Sequence, residues 1–378
     1  MKTYEQMEMY FELVPDCRRR THITYKLSEL LFIFVCGVLC GLTDYEAIAD
    51  LAKVRWEFFK KYIKNERPPC TNTLRTVFSH IAPDRLELCL WGIFRNVFSL
   101  GIKPKERQIA IDGKVICGEN SIHIVTAMIA DEYLSVGQIV TDEKSNEIPA
   151  VRELLDMINI EGAICSFDAM HCQYDTIKKV IENKGDYVVQ VKRNRKIMYN
   201  EIEGLFKFKE IKEKYETVDN DHGRIETRSC YVLPDEWVDR EYFNEWAGIK
   251  RIFKVERKIE KKGKITYETS YYISSKEATA EKLLEYTRKH WRIESFHWIL
   301  DKIMNEDGSF IRDKNAQECM NRMRKFAISV MKKYIEEKQP QKKSISGNMR
   351  LCLFSSEYLE ELLNFFLFVF LLHLCYSD

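Results

Sequence analysis

Two stretches decide the reading of this 378-residue chain: Ile109-Ala110-Ile111-Asp112-Gly113 and Ala163-Ile164-Cys165-Ser166-Phe167-Asp168. Each is a short apolar run ending on an aspartate. Such runs, bounded by turn residues, read as buried strands, and the first is expected to close in an Asp-Gly turn. Ser121 to Ile129 and Tyr133 to Thr141 predict two more strands, and Glu147 to Ile158 a helix. After Asp168 come a helix, Tyr174 to Asn183, and a strand, Tyr187 to Val191. Three strands, helix, strand, helix, strand is the order of an α/β fold, a mixed sheet flanked by helices.

Outward from this centre the texture changes twice. Residues 1 to about 100 carry helical periodicity, with Ser28 as the expected cap of a run through Leu39 and Gly41 as its stop. The linker Gly101-Ile102-Lys103-Pro104 sets the first boundary, giving an N-terminal all-helical domain over 1–104. Beyond the fifth strand, a β-rich insertion spans about 200–275, with strands around Tyr215–Val218, Ile225–Leu233, Ile249–Glu260 and Ile265–Ile273. Ala278 to Lys302 predicts one long helix, and Ala316 to about Glu336 another, closing a second domain at 105–337. Residues 338–378 read as a basic linker and an apolar tail.

Hydrophobic residues make up 45% and charged residues 31%, the balance of an ordinary globular protein. The net charge of +1 gives no sign of a nucleic-acid partner, so the distribution of charge has to carry that argument. Twelve cysteines include no C-x-x-C pair, which reads as reduced structural thiols in a cytoplasmic protein. The apolar runs Leu30–Leu42 and Leu362–Leu374 hold 13 residues each. A bilayer needs roughly 20, so no membrane span is expected. The first run is a buried helix; the second is a docking helix or an irregular end.

Three acids stand out by position: Asp112 and Asp168 at strand ends, and Glu294 in the long helix. Two neighbouring strands can aim both aspartates at one point, and a glutamate from a packed helix completes an all-oxygen site that suits Mg²⁺. A pair of such ions supports in-line phosphoryl displacement. Taken singly, Asp-Gly after a strand is usually a turn, and Asp168 before Ala169-Met170 also reads as the cap of the following helix.

Further motifs carry a resemblance. They are Ile109 to Lys114; Val136-Gly137-Gln138 followed by Asp142 to Pro149; Asp168-Ala169-Met170-His171-Cys172-Gln173; His222 to Arg228; and Tyr271 to Ser275 leading to His290-Trp291-Arg292-Ile293-Glu294, Phe296 to Asp301 and Asn305-Glu306-Asp307. In this order they resemble the H-repeat-associated DDE transposases of bacterial insertion sequences. The resemblance implies an RNase H-like core and a metal-binding catalytic triad of Asp112, Asp168 and Glu294. It also implies Mg²⁺ as cofactor, with Mn²⁺ as substitute. The reaction it implies is cleavage at the element's ends followed by 3′-hydroxyl strand transfer, by a homodimer on double-stranded DNA associated with the nucleoid.

Candidate DNA contacts are Lys114, Lys192, Asn194, Arg195, Arg224, Arg228, His297 and Trp298. The basic run from Lys250 to Lys264 is a possible electrostatic footprint or the solvated tip of a hairpin. Departures from the pattern of related transposases lie at His290, Ser295 and Asp301, and in the short loop after Lys114. They keep a second reading open, a catalytically impaired DNA-binding relative that acts as a regulator.

Overall fold

The computed structural model describes residues 3–18, 23–97, 107–117, 121–141, 147–221, 223–238, 243, 245–338 and 344–374. The linker read at 101–104, the 142–146 motif, His222 and residues 339–343 lie outside the described residues. Helices come first: α1 (Thr3–Phe11), α2 (Leu27–Leu39), α3 (Tyr45–Val54), α4 (Trp56–Phe59), α5 (Thr71–Phe78) and α6 (Pro83–Val97). Every residue of α2 is buried. It starts at Leu27 instead of being capped by Ser28, because Glu29 reaches back to accept the Lys26 N–H at 2.8 Å.

The strands are β1 (Gln108–Ile116), β2 (Ile122–Ile129), β3 (Leu134–Thr141), β4 (Ile164–Phe167) and β5 (Asp186–Val191). Helices α7 (Glu147–Met157) and α8 (Tyr174–Glu182) fall between them as the sequence predicts. After α9 (Lys196–Phe208) come β6 (Glu213–Asp221), β7 (Arg224–Val232), β8 (Arg251–Lys261) and β9 (Lys264–Ser274). All nine strands form one sheet in the order β3-β2-β1-β4-β5-β9-β8-β7-β6. β1, β4 and β5 are parallel, and β9 joins β5 antiparallel, so the β-rich segment extends the central sheet.

Two expectations need correction. β1 does not end in a turn at Asp112-Gly113; it runs on to Ile116, with Gly113 opposite Val125 of β2. Glycine stands there because a Cβ would lie 2.5 Å from the carboxyl carbon of Glu147. The long helix is two: α10 (Ala280–His290) and α11 (Arg292–Lys302), joined at Trp291. The physical reason is that the halves serve different cores. Leu283 and Leu284 of α10 pack with Val188, Val232 and Phe253, whereas Ile293, Phe296 and Leu300 of α11 belong to the main core.

The chain closes with α12 (Lys314–Lys338), α13 (Ile345–Phe354) and α14 (Ser356–Leu374). These return to the N-terminal helices. The Arg55 guanidinium donates to the Cys352 carbonyl at 2.7 Å, Lys61 pairs with Glu360 at 2.8 Å, and Leu359, Leu362, Leu363 and Phe365 are buried. The described part of the tail is thus a docked helix. Among the described residues no helix is long and apolar enough to cross a membrane.

Candidate active site

The parallel pairing of β1 with β4 sets Ile111 opposite Phe167. The next residues are Asp112, still within β1, and Asp168, the first residue past β4, so the two aspartates follow the last paired positions of adjoining strands. Asp168 also caps the 3₁₀ turn Ala169–His171, its Oδ1 accepting the Met170 N–H at 2.9 Å. The capping and site readings of this residue are compatible, since one oxygen serves the turn. Glu294 lies in the first turn of α11 and is exposed. With Asp168, Lys192, Gln190, His290 and Trp291 it lines a cavity of about 110 Å³.

Electrostatics tie the three acids together. Burial, with the charges of Asp168 and Glu147, pushes the Asp112 carboxyl up to about 7. Desolvation raises Glu294, Asp168 adds to the rise, and Lys192 opposes it. The charge of Asp168 thus acts on both other acids, and a cation placed between them would relieve that repulsion. Among the described residues, no three of His, Cys, Asp or Glu stand in an arrangement that could hold a metal ion.

Both histidines beside the acids are neutral at physiological pH. Burial pushes His290 down to about 4, and its Nδ1 lies 3.1 Å from the Ser166 hydroxyl. His297 is pushed down to about 3 by burial and by Lys325 and Lys114, and its Nδ1 sits 3.6 Å from Asp112 Oδ2. His297 thus packs against the acid itself. Trp298, one residue on, is 58% exposed.

The other sequence candidates divide. Lys192 is exposed and faces the cavity. Asn194 donates to the Ala169 carbonyl at 2.6 Å, which pins the turn after Asp168. Arg195 donates to the Cys172 carbonyl at 2.7 Å and to the Gln173 side chain, and lies over the rings of Tyr174 and Trp246. Lys114 is held between Asp301 at 2.5 Å and Glu306 at 2.6 Å. Arg224 and Arg228 line no part of the cavity. Both pair with the buried Glu226, at 3.2 and 2.6 Å, and Arg228 also pairs with Asp219 at 2.7 Å. Part of the basic run is similarly engaged, since Arg251 pairs with Asp235 and Glu277, Lys254 with Glu256, and Arg257 with Glu226 and Glu268, while Lys250, Lys261, Lys262 and Lys264 are exposed.

Sequence reasoning missed the buried polar groups behind the site. Glu147 lies between His123 and His171. Glu306 gathers Lys114, Asn321 and Arg324. Lys325 donates to Thr126 and Gln138 at 2.7 Å each, and burial pushes its ammonium down to about 7. Their signal was charge placed inside otherwise apolar helical periodicity, as in Met320 to Met331.

Comparison with known proteins agrees with this architecture. Residues 103–330 match the family model described as "Transposase DDE domain", and residues 9–92 match the one described as "DDE_Tnp_1-associated". The "H repeat-associated putative transposase YhhI" of Escherichia coli K12 is 35% identical over 341 residues, covering 85% of this chain and 89% of the relative. "Putative transposase YncI" of E. coli O157:H7 is 33% identical over 341 residues, covering 85% and 86%. With both family models matched in order along the chain and relatives of this identity and coverage, the chain belongs to the DDE transposases, in their H-repeat-associated group.

Proposed function

We propose that this protein binds the ends of its own insertion sequence, cleaves DNA there, and joins the freed 3′-hydroxyl to target DNA. The observation that carries the reading is the placing of Asp112, within β1, and Asp168, at the exit of β4, just past the last paired residues of these adjoining strands, with Glu294 on the same cavity as Asp168. The order β3-β2-β1-β4-β5, with a parallel centre and an antiparallel edge, supports an RNase H-like core. The helices before β1 support an N-terminal helical domain over 1–104, with the catalytic domain at 105–337.

By its chemistry the donor set suits a hard divalent cation: three carboxylates, of which Asp112 and Glu294 are raised by burial and by the charge of Asp168, beside neutral imidazoles. Asp112, Asp168 and Glu294 would hold Mg²⁺, with Mn²⁺ able to substitute. When bound, it supplies charge neutralisation and activation of the attacking oxygen. The protein's own groups do the rest. Lys192, at the cavity rim, offers a cation to a backbone phosphate. Trp298 offers a flat apolar surface to an exposed base. Asn194 and Arg195 hold the turn that presents Asp168. The protein acts as a homodimer on paired DNA ends, in the cytoplasm at the nucleoid.

The test uses purified protein on a duplex carrying the ends that flank its own gene, with Mg²⁺ or Mn²⁺. Asp112→Asn, Asp168→Asn and Glu294→Gln each remove one charge at nearly constant volume. All three are expected to abolish nicking and 3′-end joining while DNA binding persists. Binding without cleavage by the unaltered protein would instead establish the impaired, regulatory reading.

A further inference from the structure

Behind Asp112 lies a buried acid with no part in the triad. Glu147, the first residue of α7, is 2% exposed. Its Oε1 lies 2.9 Å from His171 Nε2 and its Oε2 lies 3.1 Å from His123 Nε2. The two imidazoles come from the two elements that frame the aspartates. His123 belongs to β2, paired with Val115 of β1, and its Nδ1 is 2.9 Å from the Thr141 hydroxyl. His171 closes the turn that Asp168 caps, and is fully buried. Its Nδ1 has no hydrogen-bond partner among the described residues. A bare ring nitrogen is cheaper to bury than an unsatisfied N–H, so the proton sits on Nε2, directed at Glu147.

The carboxylate also presses on the backbone next to Asp112. A Cβ at Gly113 would lie 2.5–2.7 Å from the carboxyl atoms of Glu147, so only glycine admits the contact. One buried side chain thereby touches β1 beside the first aspartate, β2 behind it, and the turn that presents the second.

We propose that Glu147, gripped by His123 and His171 and seated on Gly113, is a positioning residue that holds Asp112 and Asp168 at one fixed separation for a divalent cation. The proposal rests on the reading that these aspartates bind the metal. It gives a role to the Asp112-Gly113 and Glu147-Ile148-Pro149 motifs that the triad alone leaves unexplained. Partners of this kind, one step behind the metal ligands, are typically worth roughly 10–100-fold in metal affinity.

Glu147→Gln is the discriminating variant. An amide oxygen can accept from one imidazole, but its NH₂ faces the other N–H, so one arm of the grip opens at nearly constant volume. Mn²⁺ binding to the full-length protein without DNA would be followed by electron paramagnetic resonance, with each variant's metal-free melting curve followed by circular dichroism. The expected result is Mn²⁺ binding by the unaltered protein, none by Asp112→Asn, and binding weakened about 10–100-fold in folded Glu147→Gln. A purely structural role would lower the melting temperature but leave the folded protein's Mn²⁺ affinity unchanged. If Glu147→Gln does not fold, His123→Gln opens one arm with the acid kept, and the same weakening is expected. Mn²⁺ affinity within twofold of the unaltered protein, with Asp112→Asn silent, overturns the positioning role while sparing the metal reading. Mn²⁺ binding that survives Asp112→Asn defeats the metal reading, and the proposal with it.

Discussion

Replacing Glu306 with alanine should unsettle the site without touching any residue of the triad. Glu306 is fully buried in the loop after α11. Its Oε2 accepts Lys114 at 2.6 Å, and its Oε1 accepts Asn321 at 2.9 Å and Arg324 at 3.4 Å. It therefore ties β1, two residues past Asp112, to α12 and to the end of the helix that carries Glu294. Without it, Lys114 keeps Asp301, but the buried Arg324 loses its counter-charge. Breaking a buried pair from one side costs about 3–5 kcal/mol. At ~2.1 cal/mol/K per residue, cooperative unfolding of 378 residues has an entropy of about 0.8 kcal/mol/K, so melting should fall by about 4–6 °C. Buried Arg324 and Lys114 hold the Glu306 carboxyl below the ordinary value of 4.5. A depressed carboxylate stabilises the fold fully above its unfolded value, and that contribution disappears as pH falls through the folded value. The gap between unaltered and Glu306→Ala protein should thus be complete at pH 7 and shrink below about pH 4.5. Calorimetric melts across that range are the assay. A variant melting within about 1 °C of the unaltered protein at pH 7 would refute the assignment of Glu306 as a brace.

Other perturbations separate the remaining roles. Asp112→Asn, melted with chelator present, should gain stability on the parent as pH rises from about 3.8 toward 7. The raised Asp112 carboxyl favours the fold while protonated, and that contribution is lost as pH climbs through about 7; no pH dependence in the difference would contradict the reading. Lys192→Ala should lower the salt dependence of DNA binding by about one ion, whereas Arg195→Ala should lower melting and leave that slope alone. Binding isotherms over a salt series would expose an inverted pattern. A chain ending at Lys338 loses the buried Leu359, Leu362, Leu363 and Phe365, each contributing about 1.5–3 kcal/mol. It should melt well below the full chain or precipitate, and an unchanged melting curve would show that α14 adds no stability.

The sequence by itself determined a good deal. Apolar runs ending in Asp112 and Asp168 gave two central strands, because buried parallel strands read as near-continuous hydrophobic stretches. Element order gave the mixed sheet, and the ordered motifs gave the family. Local pattern did not show that β1 passes straight through Asp112-Gly113, because the cause is distant: Glu147, 34 positions on, occupies the space of a side chain at 113. Nor did it show the break at Trp291, which comes from two separate cores pulling α10 and α11 in different directions.

Charge was the hardest to read. Lys114, Arg195, Arg224 and Arg228 look alike in a linear string as candidates for phosphate. Only the fold set Asp301 and Glu306 against the first, ring faces and carbonyls against the second, and Glu226 between the last two. Whether a cation is spent inside the protein or offered to a ligand depends on which residues tertiary packing brings within about 3 Å of it. Sequence neighbours do not encode that distance.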